Sequence, residues 1–279
     1  MYVTTNIIGG LGNQLFQIFA TLNYALSCNK QAVFSNQKIL TCPGSTTRYS
    51  YWDTFLKNIA HLTTNSTPIV FIPYNEENNI IPIPCNKANI RLVGYFQSYK
   101  YFKENEEKIF KLIKLKEIKN YVASKYNEYF EDFTYKISMH FRLGDYKNLQ
   151  DYHPIQPYEY YKKALYDILL NTSVLNVQVL YFCESEDDKI ISAVIEKLSK
   201  EFPFVKFKKV ANEIPDWEQM IIMSLCNSNI IANSSFSWWG AYFNDNKRKV
   251  VTYPSLWFGK KINKDVSDMF PPEWIKICI

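Results

Sequence analysis

The chain has 279 residues, 47% hydrophobic and 21% charged, which excludes a disordered polypeptide and suits roughly two domains of ordinary size. Thirty-two Lys and Arg against 27 Asp and Glu leave a formal charge of +5, too small and too evenly spread for a nucleic-acid binder. No stretch approaches the ~18–20 consecutive apolar residues of a membrane span, and Met1–Asn6 carries no basic, apolar leader. The expectation is therefore a cytoplasmic protein without a transmembrane segment. Its six cysteines (28, 42, 85, 183, 226 and 278) show no C-x-x-C pair and no zinc spacing with His61, His140 or His153. In a reducing compartment they are expected as free, mostly buried thiols. The three N-x-[ST] matches at Asn65, Asn171 and Asn233 are read as chance.

In chain order, Val3–Ile8 is β-rich and ends at Gly9-Gly10. Leu15, Ile18, Phe19, Leu22 and Leu26 then recur at helical spacing. A strand is predicted at Gln31–Ser35. Thr41–Lys87 is irregular, punctuated by prolines, with a short strand at Pro68–Ile72. Another strand follows at Ile90–Tyr95, then one charged amphipathic helix over Tyr101–Ile118 that continues toward Phe130 as a crossover. The second half alternates cleanly. Strands are predicted at Lys136–Phe141, Val177–Phe182, Val205–Val210, Asn229–Ala232 and Lys249–Tyr253. Helices are predicted at Pro157–Leu170, Asp187–Lys200, Asp216–Cys226 and Ser235–Phe243. Alternating strands and helices imply parallel sheets wound on both faces. The fold class is α/β, with two Rossmann-like domains (1–125 and 126–279) facing a cleft.

Four stretches could carry chemistry. Gly9-Gly10-Leu11-Gly12-Asn13-Gln14, between a strand and a helix, offers backbone N–H groups to a phosphate, or is simply a tight turn. In His140-Phe141-Arg142-Leu143-Gly144-Asp145-Tyr146, strand alternation puts His140 and Arg142 on one face at a strand mouth. Arg142 there could fork onto a diphosphate, or pair with Asp145 while His140 sits in the core. Asn233-Ser234-Ser235-Phe236-Ser237 could cap a helix or bind an anion, with Trp238 and Trp239 read as core. Glu184-Ser185-Glu186-Asp187-Asp188 could accept hydrogen bonds from a base or ribose, or merely start a helix. No D-x-D triplet occurs, so no metal is expected.

Taken together, Gly9–Gln17, Gly94-Tyr95-Phe96-Gln97-Ser98, His140-x-Arg142-x-Gly144-Asp145-Tyr146 and Asn233–Gly240 resemble, in order and spacing, the α-1,2-fucosyltransferase family. Pro254-x-x-Trp257-Phe258 and Phe270-Pro271-Pro272-Glu273-Trp274 resemble its C-terminal end. The resemblance implies a GT-B-like fold, GDP-fucose as donor, a galactose-type oligosaccharide or glycoconjugate acceptor, no metal, and inverting transfer. It places the donor against Gly10, Gly12, Asn13, Gln14, Arg142, Asn233, Ser234 and Ser235, to which the reading of the residues adds His140, Glu184, Phe236 and Ser237, in the C-terminal domain above all, with the acceptor on the N-terminal side. Arg142 would stabilise departing GDP, and Asp145 or His140 would take the acceptor proton. Two departures stand out: Glu184-Ser185-Glu186-Asp187-Asp188 where relatives carry Ser-Asp-Asp, and Leu143 where many carry a second Arg. The rivals are a transferase using another nucleotide sugar and a carbohydrate-binding relative without turnover.

Overall fold

A computed structural model describes residues 1–40, 47–65, 70–77, 82–132 and 134–279. The chain divides into two compact units. One comprises Met1–Ile118 with Asp265–Pro271, the other Lys119–Lys264 with Pro272–Ile279.

In the first unit, β1 (Tyr2–Thr5) leads through the glycine turn into α1 (Leu11–Ser27). The short strands β2 (Gln31–Ala32), β3 (Phe34–Ser35), β4 (Ile39–Leu40), β5 (Arg48–Tyr49) and β6 (Thr63–Thr64) precede β7 (Ile72–Asn75), β8 (Ile90–Val93) and the helix α2 (Glu106–Ile113). The main sheet runs β2-β1-β8-β7, all parallel. The single strand expected at 31–35 is two. Ala32 pairs with β1 while Phe34 turns away to pair with β6. Of the strand expected at 68–72, residues 68–69 lie outside the described residues, and the observed strand starts at Ile72. Residues 265–271 join this unit where Ser98 Oγ donates to the Asp268 carbonyl and Lys100 pairs with the Asp268 carboxylate.

The helix expected at 101–118 also breaks. Lys114 adopts a left-handed φ of 57°, ending α2, and α3 (Leu115–Lys125) begins afresh. Ile113 and Leu115 are both buried. Residues two apart cannot share a helix face, so burying both requires the chain to re-aim between them. Asn58 Nδ2 donates to the Ile113 carbonyl at 3.0 Å, satisfying one of the groups the break exposes.

The second unit continues with β9 (Tyr135–His140), α4 (Tyr158–Thr172), β10 (Val177–Phe182), α5 (Asp188–Glu201) and β11 (Val205–Lys209). It closes with α6 (Asp216–Ser224), β12 (Ser228–Ile230), α7 (Ser235–Tyr242), β13 (Val251–Pro254) and β14 (Ile275–Ile277). The six strands run β11-β10-β9-β12-β13-β14, all parallel. β9 is buried from Lys136 to His140, with apolar Ile137 and Met139 on one face and polar Lys136, Ser138 and His140 on the other. Ile137, Met139, Val177 and Val179 pack with Tyr161, Leu165 and Ile168 of α4 and with Ile191 and Leu198 of α5. Each such side chain contributes on the order of 1.5–3 kcal/mol by leaving water. Trp238 and Trp239 are fully buried, as expected of core residues. β14 was not expected: three residues after a Pro-Pro pair carry too little periodicity to be read.

The two parallel α/β units are those of a GT-B-like fold. Among the described residues no helix is long and apolar enough to cross a membrane. The cysteine expectation needs correction. Cys28, capping the end of α1, is disulfide-bonded to Cys85, with Cα atoms 5.5 Å apart across 57 residues of sequence. Sequence spacing cannot reveal such a contact, because the fold creates it. Cys183 and Cys226 are free and buried, and Cys278 is free and exposed. Cys42 lies outside the described residues.

Candidate active site

In the second unit the chain moves outward from β9 to β10 and β11, then returns to the opposite side of β9 to lay down β12. The reversal lies between β9 and β12, and a crevice at the carboxyl ends of the strands there is where open α/β sheets take ligands. Three of the four stretches singled out in the sequence emerge at the carboxyl ends of β9, β10 and β12. A buried network fixes the two central strands: Asn229 Nδ2 donates to Ser138 Oγ at 2.7 Å, and Asn244 Nδ2 to Asn229 Oδ1 at 2.8 Å. Nothing in the sequence marked that pair.

Arg142 follows β9, its side chain only 16% exposed. One guanidinium nitrogen bonds Glu184, the other Asp145, and the ring of Tyr146 lies 5.0 Å from Cζ. The Arg142–Asp145 ion pair considered from the sequence is therefore present, and Glu184 joins it. Burial works against the charge of Arg142, but Glu184 and Asp145 more than offset it and raise its pKa. Gly144 turns the chain with φ +40°, and its N–H donates to Asp187 Oδ2 at 2.9 Å. A side chain at this glycine would run into the Glu184 carboxyl. Asp187 is fully buried and pairs with Lys147. It braces the turn that carries Arg142, a part the sequence did not disclose.

His140 is 7% exposed and packs on Phe236 at 5.5 Å, and among the described residues its Nδ1 has no partner. Burial first, and the Arg142 charge second, lower its pKa to about 3. It is a neutral imidazole in the core at any ordinary pH, a poor proton acceptor. Asp145 is 40% exposed and, like Glu184, is bonded to the guanidinium.

Ser234 caps α7, its Oγ accepting from Phe236 N at 3.3 Å, and Ser237 Oγ donates back to the Ser234 carbonyl. Asn233 faces inward. Its amide donates to the carbonyls of Pro154 and Trp257 at 2.9 and 3.1 Å, tying three loops together. Ser235 begins the helix, half-buried. Glu184, Glu186 and Asp187 offer carboxylate oxygens within 4.8 Å of one another, but Arg142 and Lys147 already supply counter-charges to two of them.

In the first unit, Gly9 takes φ +81° and Gly10 caps α1. Gly12 is buried in the first turn of that helix. Gln14 is buried, donating to the carbonyls of Gly9 at 3.0 Å and Tyr49 at 2.9 Å, and so fastens the turn. Gln17, missed in the sequence, does the same by exchanging both hydrogen bonds with the backbone of Ile8. Asn13, half-buried, accepts from Gln97 Nε2 at 2.9 Å. That contact joins the turn after β1 to the loop after β8, the neighbouring strand.

Residues 2–278 match the sequence model of glycosyl transferase family 11. The chain belongs to that family. An Escherichia coli O-antigen biosynthesis glycosyltransferase, WbnK, is 31% identical over 50% of this chain. An Escherichia coli alpha-1,2-colitosyltransferase is 27% identical over 68% of it. A galactoside 2-alpha-L-fucosyltransferase of Caenorhabditis elegans is 24% identical over 96% of it. The matches span 44%, 63% and 77% of those proteins' own lengths, so this chain covers less than two thirds of the first two.

Proposed function

We propose that the chain transfers L-fucose from GDP-fucose to a sugar hydroxyl, O2 of a galactose unit, in α-1,2 linkage with inversion. The observation that carries this reading is the guanidinium of Arg142 just past the carboxyl end of β9, against Tyr146, whose hydroxyl reaches the residue before the Ser234–Ser237 helix start. A planar fork suits two phosphate oxygens, and a capped helix start adds N–H groups and partial positive charge. In this reading residues 126–279 bind the donor and residues 1–125 face the acceptor. The acceptor is an oligosaccharide or glycoconjugate.

The acceptor oxygen forms a bond to the anomeric carbon as the bond from that carbon to the β-phosphate oxygen breaks, and GDP leaves with the electron pair. Arg142 stabilises the charge growing on GDP. The hydroxyl proton passes to the carboxylate of Asp145, which is 40% exposed. His140 serves as a neutral wall of the site. Glu184 and Asp145 occupy the places on the guanidinium that suit phosphate oxygens. Donor binding then exchanges one set of oxygens for another.

The likeness to a protein named as a colitosyltransferase supports a second reading, in which the sugar carried on the nucleotide differs. Calorimetry separates the nucleotide and turnover separates the sugar. GDP is expected to bind clearly tighter than UDP or ADP, and GDP-fucose to be turned over faster than GDP-colitose. Equal binding of all three diphosphates would sink the guanosine assignment, and faster use of GDP-colitose would select the second reading.

Turnover is expected to survive excess EDTA, since fixed cations do the work that a bridging metal does elsewhere. Activity lost in EDTA and restored by Mg²⁺ or Mn²⁺ would refute this.

A further inference from the structure

We propose that Tyr146 is a positioning residue for Arg142, setting the plane of its guanidinium at the β9/β12 crevice. The inference rests on the reading of Arg142 as the diphosphate ligand. Glu184 and Asp145 hold the two ends of the fork, but two carboxylates at the edges leave the guanidinium free to rotate about the line joining them. A ring against its face removes that freedom. Tyr146 supplies the ring, 5.0 Å from Cζ, a distance at which a guanidinium is attracted to the aromatic face.

Tyr146 is itself held from three directions. Its N–H donates to the Leu143 carbonyl at 2.7 Å, closing the turn that contains Gly144. Its ring stacks on His153, centroids 4.8 Å apart and planes at 19°, and His153 is backed by Phe258 at 5.9 Å. Its hydroxyl donates to the Asn233 carbonyl at 3.2 Å, immediately before the serines that cap α7. One side chain thus registers the loop after β9 against the loop after β12. The ring orients the cation while the hydroxyl ties that cation to the helix start that would bind the same diphosphate.

The test uses GDP binding by calorimetry and turnover, on full-length Tyr146→Phe, Tyr146→Leu, Arg142→Ala and the Tyr146→Leu/Arg142→Ala pair, each checked for a cooperative thermal transition. Phenylalanine keeps the aromatic face and loses the hydroxyl tie. Leucine keeps bulk and loses both. Tyr146→Leu is expected to weaken GDP binding about 5–30-fold, the range of a partly desolvated cation–π contact, and Tyr146→Phe by less, about 2–5-fold, the lower part of the range of one lost neutral hydrogen bond. In the Arg142→Ala background the leucine change should then shift GDP binding by less than about twofold, because its target is gone. A leucine effect of the same size with and without Arg142 overturns the proposal, since Tyr146 would then only support the loop. Equal loss in the phenylalanine and leucine proteins also overturns it, placing the whole effect in the hydroxyl. Arg142→Ala binding GDP as the wild type does is a different failure, that of Arg142 as the diphosphate ligand.

Discussion

Replacing Arg142 by alanine is expected to lower kcat/KM by roughly 10²–10³ while leaving the protein folded. A charged donor aimed at the leaving group in a water-poor site is worth about 2–4 kcal/mol of transition-state stabilisation. Two features of the site push toward the upper end. The guanidinium is mostly buried, so its field is weakly screened. Its removal also strips Glu184 and Asp145 of their shared counter-ion, leaving two carboxylates to repel an incoming diphosphate. Because negative charge grows on the β-phosphate as the sugar departs, kcat should fall more than KM rises. Arg142→Lys should recover part of the loss, since one ammonium cannot reproduce the two-point contact. The opposing account makes Arg142 a structural ion pair only. It requires a lowered melting temperature with the turnover of the folded fraction intact, and that result would defeat the assignment.

The second unit was legible because its elements obey strong local rules. β10 was read to the residue, since Val177–Phe182 is a short apolar run between polar turns, long enough for a strand and too short for a helix. α4 starts where Pro157 precedes it, and α7 where Ser234 caps it. The first unit was less legible for a physical reason. β2 to β6 are two residues each, shorter than any period that could announce them. The break at Lys114 depends on which faces of α2 and α3 meet the core, which is tertiary information. At the site, residue types and strand mouths were readable, but partners were not. Arg142 and Asp145 are three apart in sequence, so their pairing could be anticipated. Glu184 is 42 residues from Arg142, and Asp187 is 43 from Gly144. Those contacts exist only because β9 and β10 lie side by side in parallel. The likeness of His140 to a catalytic histidine was also a reading of type without environment, and the environment decides its chemistry.

That environment makes His140 a source of acid sensitivity. Its pKa in the folded chain, about 3, lies below the ordinary value of 6.5. As the pH falls below 6.5 the unfolded chain takes up a proton at this position and the folded chain does not, so the unfolded state gains. The contribution of neutral His140 is complete above pH 6.5 and is lost progressively from there down to about 3. The loss amounts to roughly 1.4 kcal/mol per pH unit, or about 2 kcal/mol between pH 7 and pH 5. His153 works in the same direction, since burial lowers its pKa too, while neighbouring Asp145 raises it and Arg142 lowers it. The carboxylates held below their usual range, such as Asp132 at about 2 and Asp188, add their own acid-dependent loss only from about pH 4 downward. The window from pH 7 to pH 5 therefore isolates the histidines. Urea unfolding across it should show wild-type stability falling by about 2 kcal/mol or more, and His140→Gln, which cannot titrate, should flatten that slope by most of the His140 share. The substitution will itself lower stability at pH 7, because a buried amide needs partners that the pocket does not supply; the slope, not the intercept, carries the inference. Identical slopes in the two proteins would mean that His140 titrates normally in the folded state. It would then have to reach solvent, and its place as a neutral wall behind Arg142 would be wrong.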